Sequence, residues 1–393
     1  MRILIANVGS TSFKYKLYVD RVAVAHGRLE RIGDKVSPQV YCVGDETEER
    51  SVALPDYATA VRSALDSLTK TVLGSIDELD AVGFKTVHLR GEAGTLELTV
   101  DALERMADYN DLAPAHNPPY IEAIRIFREI EPTLKLIGLF ESAYHTTIPD
   151  YAYMYGVPYS WYEKYGVRKY GFHGASHRYV SERIPELIGR DSAGLRIVSC
   201  HLGGSSSLCA IKDGKSHDTT MGFSPQDGVI NATRNGSIDP FIIPHVMDRE
   251  GLSTDQIRKI LNSQSGLLGL SGVSGDMRDL QEAAEKGNDR ARLAIEAYCY
   301  SVRREIGAMA TAIGGMDVLA FAGGIGERSP AVRSLICREL EHLGVILDEN
   351  RNAGDHQERE ISSDESTTRA YIVTTDEEAI VERAVTEYLE TSP

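Results

Sequence analysis

The sequence predicts an α/β layered architecture, and three observations lead there. Helical patterns alternate with β-rich segments, one hairpin pattern occurs twice about half a chain apart, and 393 residues suffice for two domains or three.

The elements follow in order. Arg2 to Val8 is an apolar strand, Gly9-Ser10-Thr11-Ser12 is the tip of a turn that opens at Asn7, and Phe13-Lys14-Tyr15-Lys16-Leu17 alternates as a returning strand. Helical periodicity marks 57–70, 101–108, 119–130 and 176–188. The second hairpin runs Ile197-Val198-Ser199-Cys200, a tip from His201 to Ser207, then Leu208-Cys209-Ala210-Ile211. Helices are expected over 255–263, 278–315 with a break near Gly287, and 377–390, the last returning to the first domain. Val318 to Ala322 is a strand, followed by a glycine turn and a helix with Ser329 as N-cap and Pro330 at its first position. The polar stretch 350–367 is expected as a surface loop, and a domain boundary near 146–150, where an aromatic-rich segment begins.

Composition excludes several classes of function. With 42 Lys and Arg against 58 Asp and Glu, the net charge is -16, and no local basic stripe offsets it, so nucleic acid is not an expected partner. The most apolar short stretches, such as LIGLF, fall far below membrane-spanning length, and the first residues lack a secretory pattern, so a cytoplasmic protein is expected. Five scattered cysteines without metal spacing predict reduced thiols and no zinc site.

Gly/Ser tips let backbone N–H groups approach an anion closely, so two of them on two domains could hold one polyphosphate between them. The segment Gly323-Gly324-Ile325-Gly326-Glu327-Arg328, between a strand and a helix, is a third nucleotide-contacting unit. Its glycines do not fit GxGxxG. Gly214-Lys215-Ser216 ends like a Walker loop, but Cys209 stands where the leading glycine is required.

NVGSTSFK at 7–14, LAPAHNPP at 112–119, YGFHGASH at 170–177, DTTMGFSPQDG at 218–228, ATRNGSIDP at 232–240, SGLLGLSGVSGDMRD at 265–279, GGIGERS at 323–329 and TTDEE at 374–378 together resemble the acetate kinase family, in order and spacing. The resemblance spans essentially the whole chain. It implies two related ribonuclease-H-like domains of the actin-like ATPase superfamily around an interdomain nucleotide cleft, usually in a homodimer. Residues 1–147 with a C-terminal helix 378–393 would form one domain, and 148–377 the nucleotide-binding domain. The implied activity is reversible, ATP-dependent phosphorylation of a small carboxylate, acetate first, to an acyl phosphate, with Mg2+ as cofactor and Mn2+ as its alternative.

By the same resemblance Glu141, His173 and Arg234 fall on catalytic positions, and Asn7 and Glu377 on those that organise the metal. Lys14 and the tip His201, Leu202, Gly203, Gly204 and Ser205 would meet phosphates. Asp276, Met277, Arg278, Gly324, Ile325, Gly326, Glu327 and Arg328 would surround adenosine and ribose. Lys85, Val87, Arg90, Ala115, Phe172 and Pro225 fall on substrate positions, while His177 reads as structural packing.

Departures from the family pattern cluster at the acyl end. Glu141 stands for an aspartate, which shifts the carboxylate by about 1–1.5 Å. Lys85 stands for an arginine and loses its bidentate fork. Leu89 and Arg90 replace paired glycines, Gly204 an asparagine, Arg328 another asparagine, and Ala115 a leucine. A deeper pocket at Ala115 and an added cation at Arg90 suit a longer or additionally anionic carboxylate as the alternative substrate. A nucleotide-binding homologue with decayed transfer chemistry is the third reading, and pyrophosphate as donor a lesser one.

Overall fold

The computed structural model describes residues 1–9, 11–89, 92–110, 117–354 and 357–391. The chain divides into two compact units, Met1–Ala143 with Asp376–Pro393, and Tyr144–Thr375.

The first unit is built on an eight-stranded sheet. Its strands are β1 Arg2–Val8, β2 Ser12–Val19, β3 Val22–Glu30, β4 Ser37–Val43, β5 Glu46–Val52, β6 Ala81–Thr86, β7 Thr95–Glu97 and β8 Lys135–Phe140, in the spatial order β5-β4-β3-β2-β1-β6-β8-β7. β1 to β3 form an antiparallel meander, and β6 and β8 run parallel to β1. The run Ile3-Leu4-Ile5-Ala6 is buried throughout, as a central strand covered on both faces requires. On one face, Phe13 and Phe84 pack against Phe127 of the helix Asn117–Ile130. The helix Glu377–Thr391 also packs on this sheet. It approaches closely because β6 carries glycine: a Cβ at Gly83 would come to 2.8 Å from both Ile5 and Val385.

The second unit has a six-stranded sheet of β9 Arg196–Leu202, β10 Ser206–Lys212, β11 Lys215–Thr219, β12 Val318–Ala322, β13 Arg359–Glu360 and β14 Arg369–Ile372, in the order β11-β10-β9-β12-β14-β13. Here too the first three strands are antiparallel, and the next two long ones run parallel to the first. Both sheets therefore share one central pattern, three antiparallel strands in the order third, second, first, followed by two later strands parallel to the first (β6 and β8 in one, β12 and β14 in the other), which is the ribonuclease-H-like arrangement. Alternation along β9 sorts its side chains to two faces. Val198, Cys200 and Leu202 join a core with the long helix Asp289–Ala312, while Ile197 packs with Val180 and Ile184 of the helix Gly174–Ile188. Ser199 and His201 share the face of Ile197, which places polar groups under the first turn of that second helix.

The helix expected over 278–315 is two, Met277–Glu285 and Asp289–Ala312, parted at Gly287 with φ +89 and restarted by Asn288, whose side chain accepts from Ala291 N. Three expectations are corrected. The glycine turn 323–328 is a short helix, Gly323–Arg328, and although Pro330 opens the next helix, the Ser329 side chain does not cap it. Ser329 Oγ instead accepts from Gln281 Nε2 at 3.3 Å. The stretch 350–367 is not a simple surface loop: Asp348 caps a short helix, Glu349–Ala353, β13 pairs with β14, and Asn352 and Ile361 are fully buried. Among the described residues no helix is long and apolar enough to cross a membrane.

Candidate active site

In the second unit, polar groups gather where β9 and β12 end, at the carboxyl ends of parallel strands. A cavity of about 610 Å3 opens there. Gly203 and Gly204 of the β9–β10 tip, Asp276, Met277, Arg278, Gly324, Ile325 and Arg328 line it, so eight of the nucleotide residues expected from sequence meet in one place. Gly323 explains how the helix reaches the tip: its φ is +75, and a Cβ would sit 2.7 Å from the Leu202 carbonyl oxygen.

Other expected residues support the wall from behind. Leu202 and Gly326 are buried, and Glu327 accepts the Gly323 N–H at 3.1 Å, its carboxyl raised by burial. Arg278 is bound by Asp276 at 2.6 Å and is otherwise exposed. Ala232, Thr233, Gly275, Gln281 and Ser329 also line the cavity and were not expected there. Ala232 and Thr233 open the ATRNGSIDP motif, and Gln281 lies one turn beyond Met277, so helical spacing was the signal.

Arg333 is a further unanticipated residue. It is fully buried, and its guanidinium donates to Gly326 O at 2.7 Å, Glu327 O at 3.0 Å and Asn352 Oδ1 at 2.7 Å. It thus holds the end of the Gly323–Arg328 helix, and burial lowers its pKa to about 10.

Arg234 stands beside the tip. Its guanidinium donates to Ser205 Oγ and, at 3.5 Å, to Asn231 Oδ1. No carboxylate pairs with it among the described residues, and burial alone lowers its pKa to about 10. Asn231 is held in turn by Ser206 N at 2.6 Å, and the loop rests on Gly266, where φ is +60 and a Cβ would lie 2.2 Å from Asn231 O.

His173 bonds through Nδ1 to Ser207 Oγ at 2.8 Å, two residues along the same hairpin from Ser205. Arg234 is thus tied to the tip itself and His173 to the strand β10 that leaves it, so both are anchored to one hairpin. The His173 backbone is left-handed at φ 57, uncommon for a residue with a side chain. Its ring lies 4.3 Å from that of His201, which bonds Ser176 Oγ at 2.8 Å. His177 is fully buried, bonded to Ser199 and Ser207, and burial drives its pKa well below the usual value. That fits its reading as structural packing. Phe172 and Pro225 are buried in this unit as well.

In the first unit, the ends of β6 and β8 and the start of the C-terminal helix bring Lys85, Glu141 and Glu377 together. Lys85 Nζ lies 2.9 Å from Glu141 Oε1 and also contacts Glu377. Burial disfavours the ammonium, but the two carboxylates outweigh it and hold the Lys85 pKa well above the ordinary value. Tyr120 donates to Asn7 Oδ1 at 3.3 Å and accepts from Val8 N at 3.2 Å, fixing the tip of the first hairpin beside this trio, whose charges act on it. Lys14 is exposed on β2, in register with Asn7, and Val87 is buried. Arg90 and Ala115 lie outside the described residues.

Residues 2–383 match the family model described as the acetokinase family. The chain belongs to that family. It is 43% identical over 390 residues to the acetate kinase of Bacteroides thetaiotaomicron, covering 97% of this chain and 98% of the relative. The crystal structure of Porphyromonas gingivalis acetate kinase matches with a TM-score of 0.87 at 36% identity, covering 99% of both chains. That of a propionate kinase from Francisella tularensis matches at 0.89 and 33%, covering 98% of both. As an acetokinase-family member the chain is a phosphotransferase with a carboxyl group as acceptor, in a family that uses ATP.

Proposed function

We propose that this chain moves the γ-phosphoryl group of ATP reversibly onto the carboxylate of a small acid, acetate before others, to give an acyl phosphate and ADP. Arg234 is the observation that carries this reading. A guanidinium removed from water without a carboxylate partner costs folding energy, and a substrate anion repays it.

A carboxylate is already a nucleophile at neutral pH, so the reaction needs alignment and charge neutralisation more than covalent help. Its oxygen attacks the γ-phosphorus, the bond to the β–γ bridging oxygen breaks, and ADP leaves with the electron pair. Arg234 clamps two oxygens of the moving phosphoryl group with its planar fork, and His173 donates one further hydrogen bond. Gly203 and Gly204 admit the phosphates, with His201 and Ser205 beside them and Lys14 as a further cation. Met277 and Ile325 give the adenine apolar walls, and Asp276, Arg278 and Arg328 polar edges.

Magnesium supplies charge neutralisation at the phosphates when bound. Asn7 and Glu377 would hold it, with Glu141 close by: hard oxygens suit this ion, which takes one or two carboxylates and fills its shell with phosphate and water. Manganese accepts the same donors. Among the described residues no group of three or more His, Cys, Asp or Glu forms an all-protein cage. Lys85 opposes two carboxylates, so it orients them rather than standing free as a cation for the acid. Val87, Phe172 and Pro225 are apolar and buried, which suits the methyl end of acetate. Homodimer formation in the cytoplasm completes the reading, and Phe241, 78% exposed beside Ile242, offers apolar surface for it.

Trapping acyl phosphate as hydroxamate, with ATP and Mg2+ against acetate, propionate, butyrate and succinate, tests the proposal. Acetate is expected to give the highest kcat/KM. A larger acid in first place would reassign the substrate, and no product from any acid would overturn the transfer itself.

A further inference from the structure

We infer that Ser199, His177 and Ser207 form a hydrogen-bond relay of one polarity, and that it holds His173 in the tautomer with its proton on Nε2. The catalytic consequence rests on the donor role proposed above for His173, whereas the relay itself stands on geometry alone.

Four side chains stand in a row. Ser199 Oγ lies 2.9 Å from His177 Nδ1, His177 Nε2 lies 2.9 Å from Ser207 Oγ, and Ser207 Oγ lies 2.8 Å from His173 Nδ1. Ser199, His177 and Ser207 are each 0% exposed. The row bridges two elements: Ser199 and Ser207 come from neighbouring strands β9 and β10, and the histidines are one helical turn apart, with His177 N donating to His173 O at 3.0 Å.

A neutral imidazole has one N–H, and burial with His145 and His201 nearby keeps His177 neutral. Two proton arrangements then satisfy all three contacts. In the first, the Ser199 hydroxyl donates to His177 Nδ1, His177 Nε2–H donates to Ser207, and the Ser207 hydroxyl donates to His173 Nδ1. In the second, every bond is reversed.

Ser199 decides between them. His177 is its one side-chain hydrogen-bond partner among the described residues. In the reversed arrangement Ser199 would accept from His177, and its own O–H would point into the layer that carries Ile197, Cys209 and Ile211. A buried donor without an acceptor costs more than an unused lone pair on an oxygen that already makes one bond. The first arrangement therefore holds, and a proton on Ser207 facing Nδ1 leaves neutral His173 its proton on Nε2, the other edge of the ring. His145 follows the same pattern without ambiguity: its Nε2 faces the Phe172 carbonyl oxygen at 3.0 Å and must donate, so Nδ1 accepts from Ser216 at 2.8 Å.

His177 and Ser207 are thus positioning residues, acting on the reaction through His173. The test uses the full chain labelled with 15N-histidine and long-range 1H–15N correlation at pH 8. Both His173 and His177 are expected to show a protonated Nε2 and a bare Nδ1, and a proton on Nδ1 of either would overturn the relay whatever the activity. His177→Leu, which removes the donor to Ser207, is expected to mix the His173 tautomers and lower kcat by about 10–100-fold, with KM for ATP within about twofold. His177→Gln keeps an N–H for Ser207 and is expected to recover most of that loss. Should the leucine variant not fold, Ser207→Ala reads the same property. Ser216→Ala removes an equivalent buried bond at His145 and is expected to leave the His173 signals unmoved. An unmoved His173 tautomer in His177→Leu would contradict the relay. A shifted tautomer with unchanged kcat would uphold it and remove the donor role of His173 instead.

Discussion

The two units share one central strand order and use it for opposite electrostatics. In the first, the cation at the strand ends is matched: Lys85 faces Glu141 and Glu377. In the second, the cation is left unmatched among the described residues: there Arg234 meets only the neutral oxygens of Ser205 and Asn231. The topology brings the carboxyl ends of parallel strands together in both, but the loops decide which charges are spent on one another and which remain for a ligand. A paired cation stabilises and orients, whereas an unpaired, desolvated one is available for an anion.

The contrast can be broken from either side. On the paired side, Lys85→Met leaves two carboxylates facing each other, and the expected cost is about 3–4 kcal/mol of unfolding free energy, read by urea titration. Lys85→Arg should recover more than half of it. Because Glu141 and Glu377 raise the folded-state pKa of Lys85, its contribution is present below the ordinary lysine range and fades as the pH rises through the folded value.

In the second unit burial favours the neutral forms of His145 and His177, and pH exposes this. Burial lowers the His145 pKa to about 4, below its unfolded value, so the unfolded chain binds more protons between roughly pH 6.5 and 4. Stability is full above that window and falls as the pH drops through it, by on the order of 3 kcal/mol from this residue. A His145→Phe variant should show a flatter profile over the same range, and an unchanged slope would remove the assignment.

Gly266→Ala sharpens the link between backbone and the unpaired guanidinium. A Cβ there meets Asn231 O at a left-handed φ, so about 1–3 kcal/mol of strain is expected, with loss of kcat as the Arg234 loop shifts. The smallest effect is expected at Arg278. Already bound by Asp276 and exposed, its replacement by alanine should raise KM for ATP less than about threefold, seen in initial rates.

Much of this was legible in the sequence, for physical reasons that differ by element. Gly/Ser tips between apolar runs announced both hairpins, because little else turns a chain so tightly, and eight of the residues named for the nucleotide do line one cavity. The helix Gly323–Arg328 was not legible, since three glycines in six residues argue against helix by propensity. Tertiary contacts override it: Gly323 abuts Leu202, and Arg333 satisfies the carbonyls of Gly326 and Glu327. The Lys85 trio is not legible as a trio, because positions 85, 141 and 377 meet only when the ends of β6 and β8 and the start of the last helix come together. The serine and histidine relay was hidden likewise, as it needs the β9–β10 register together with one turn of helix.

The central claim is that the unpaired guanidinium of Arg234 is the partner of the moving phosphoryl group. Single-turnover transfer from ATP to acetate by Arg234→Ala, with nucleotide affinity measured in parallel, tests it most directly. Transfer is expected to slow by about 10^3-fold while the Kd for ATP stays within about threefold. Transfer at the wild-type rate, or affinity lost in step with rate, would contradict the account.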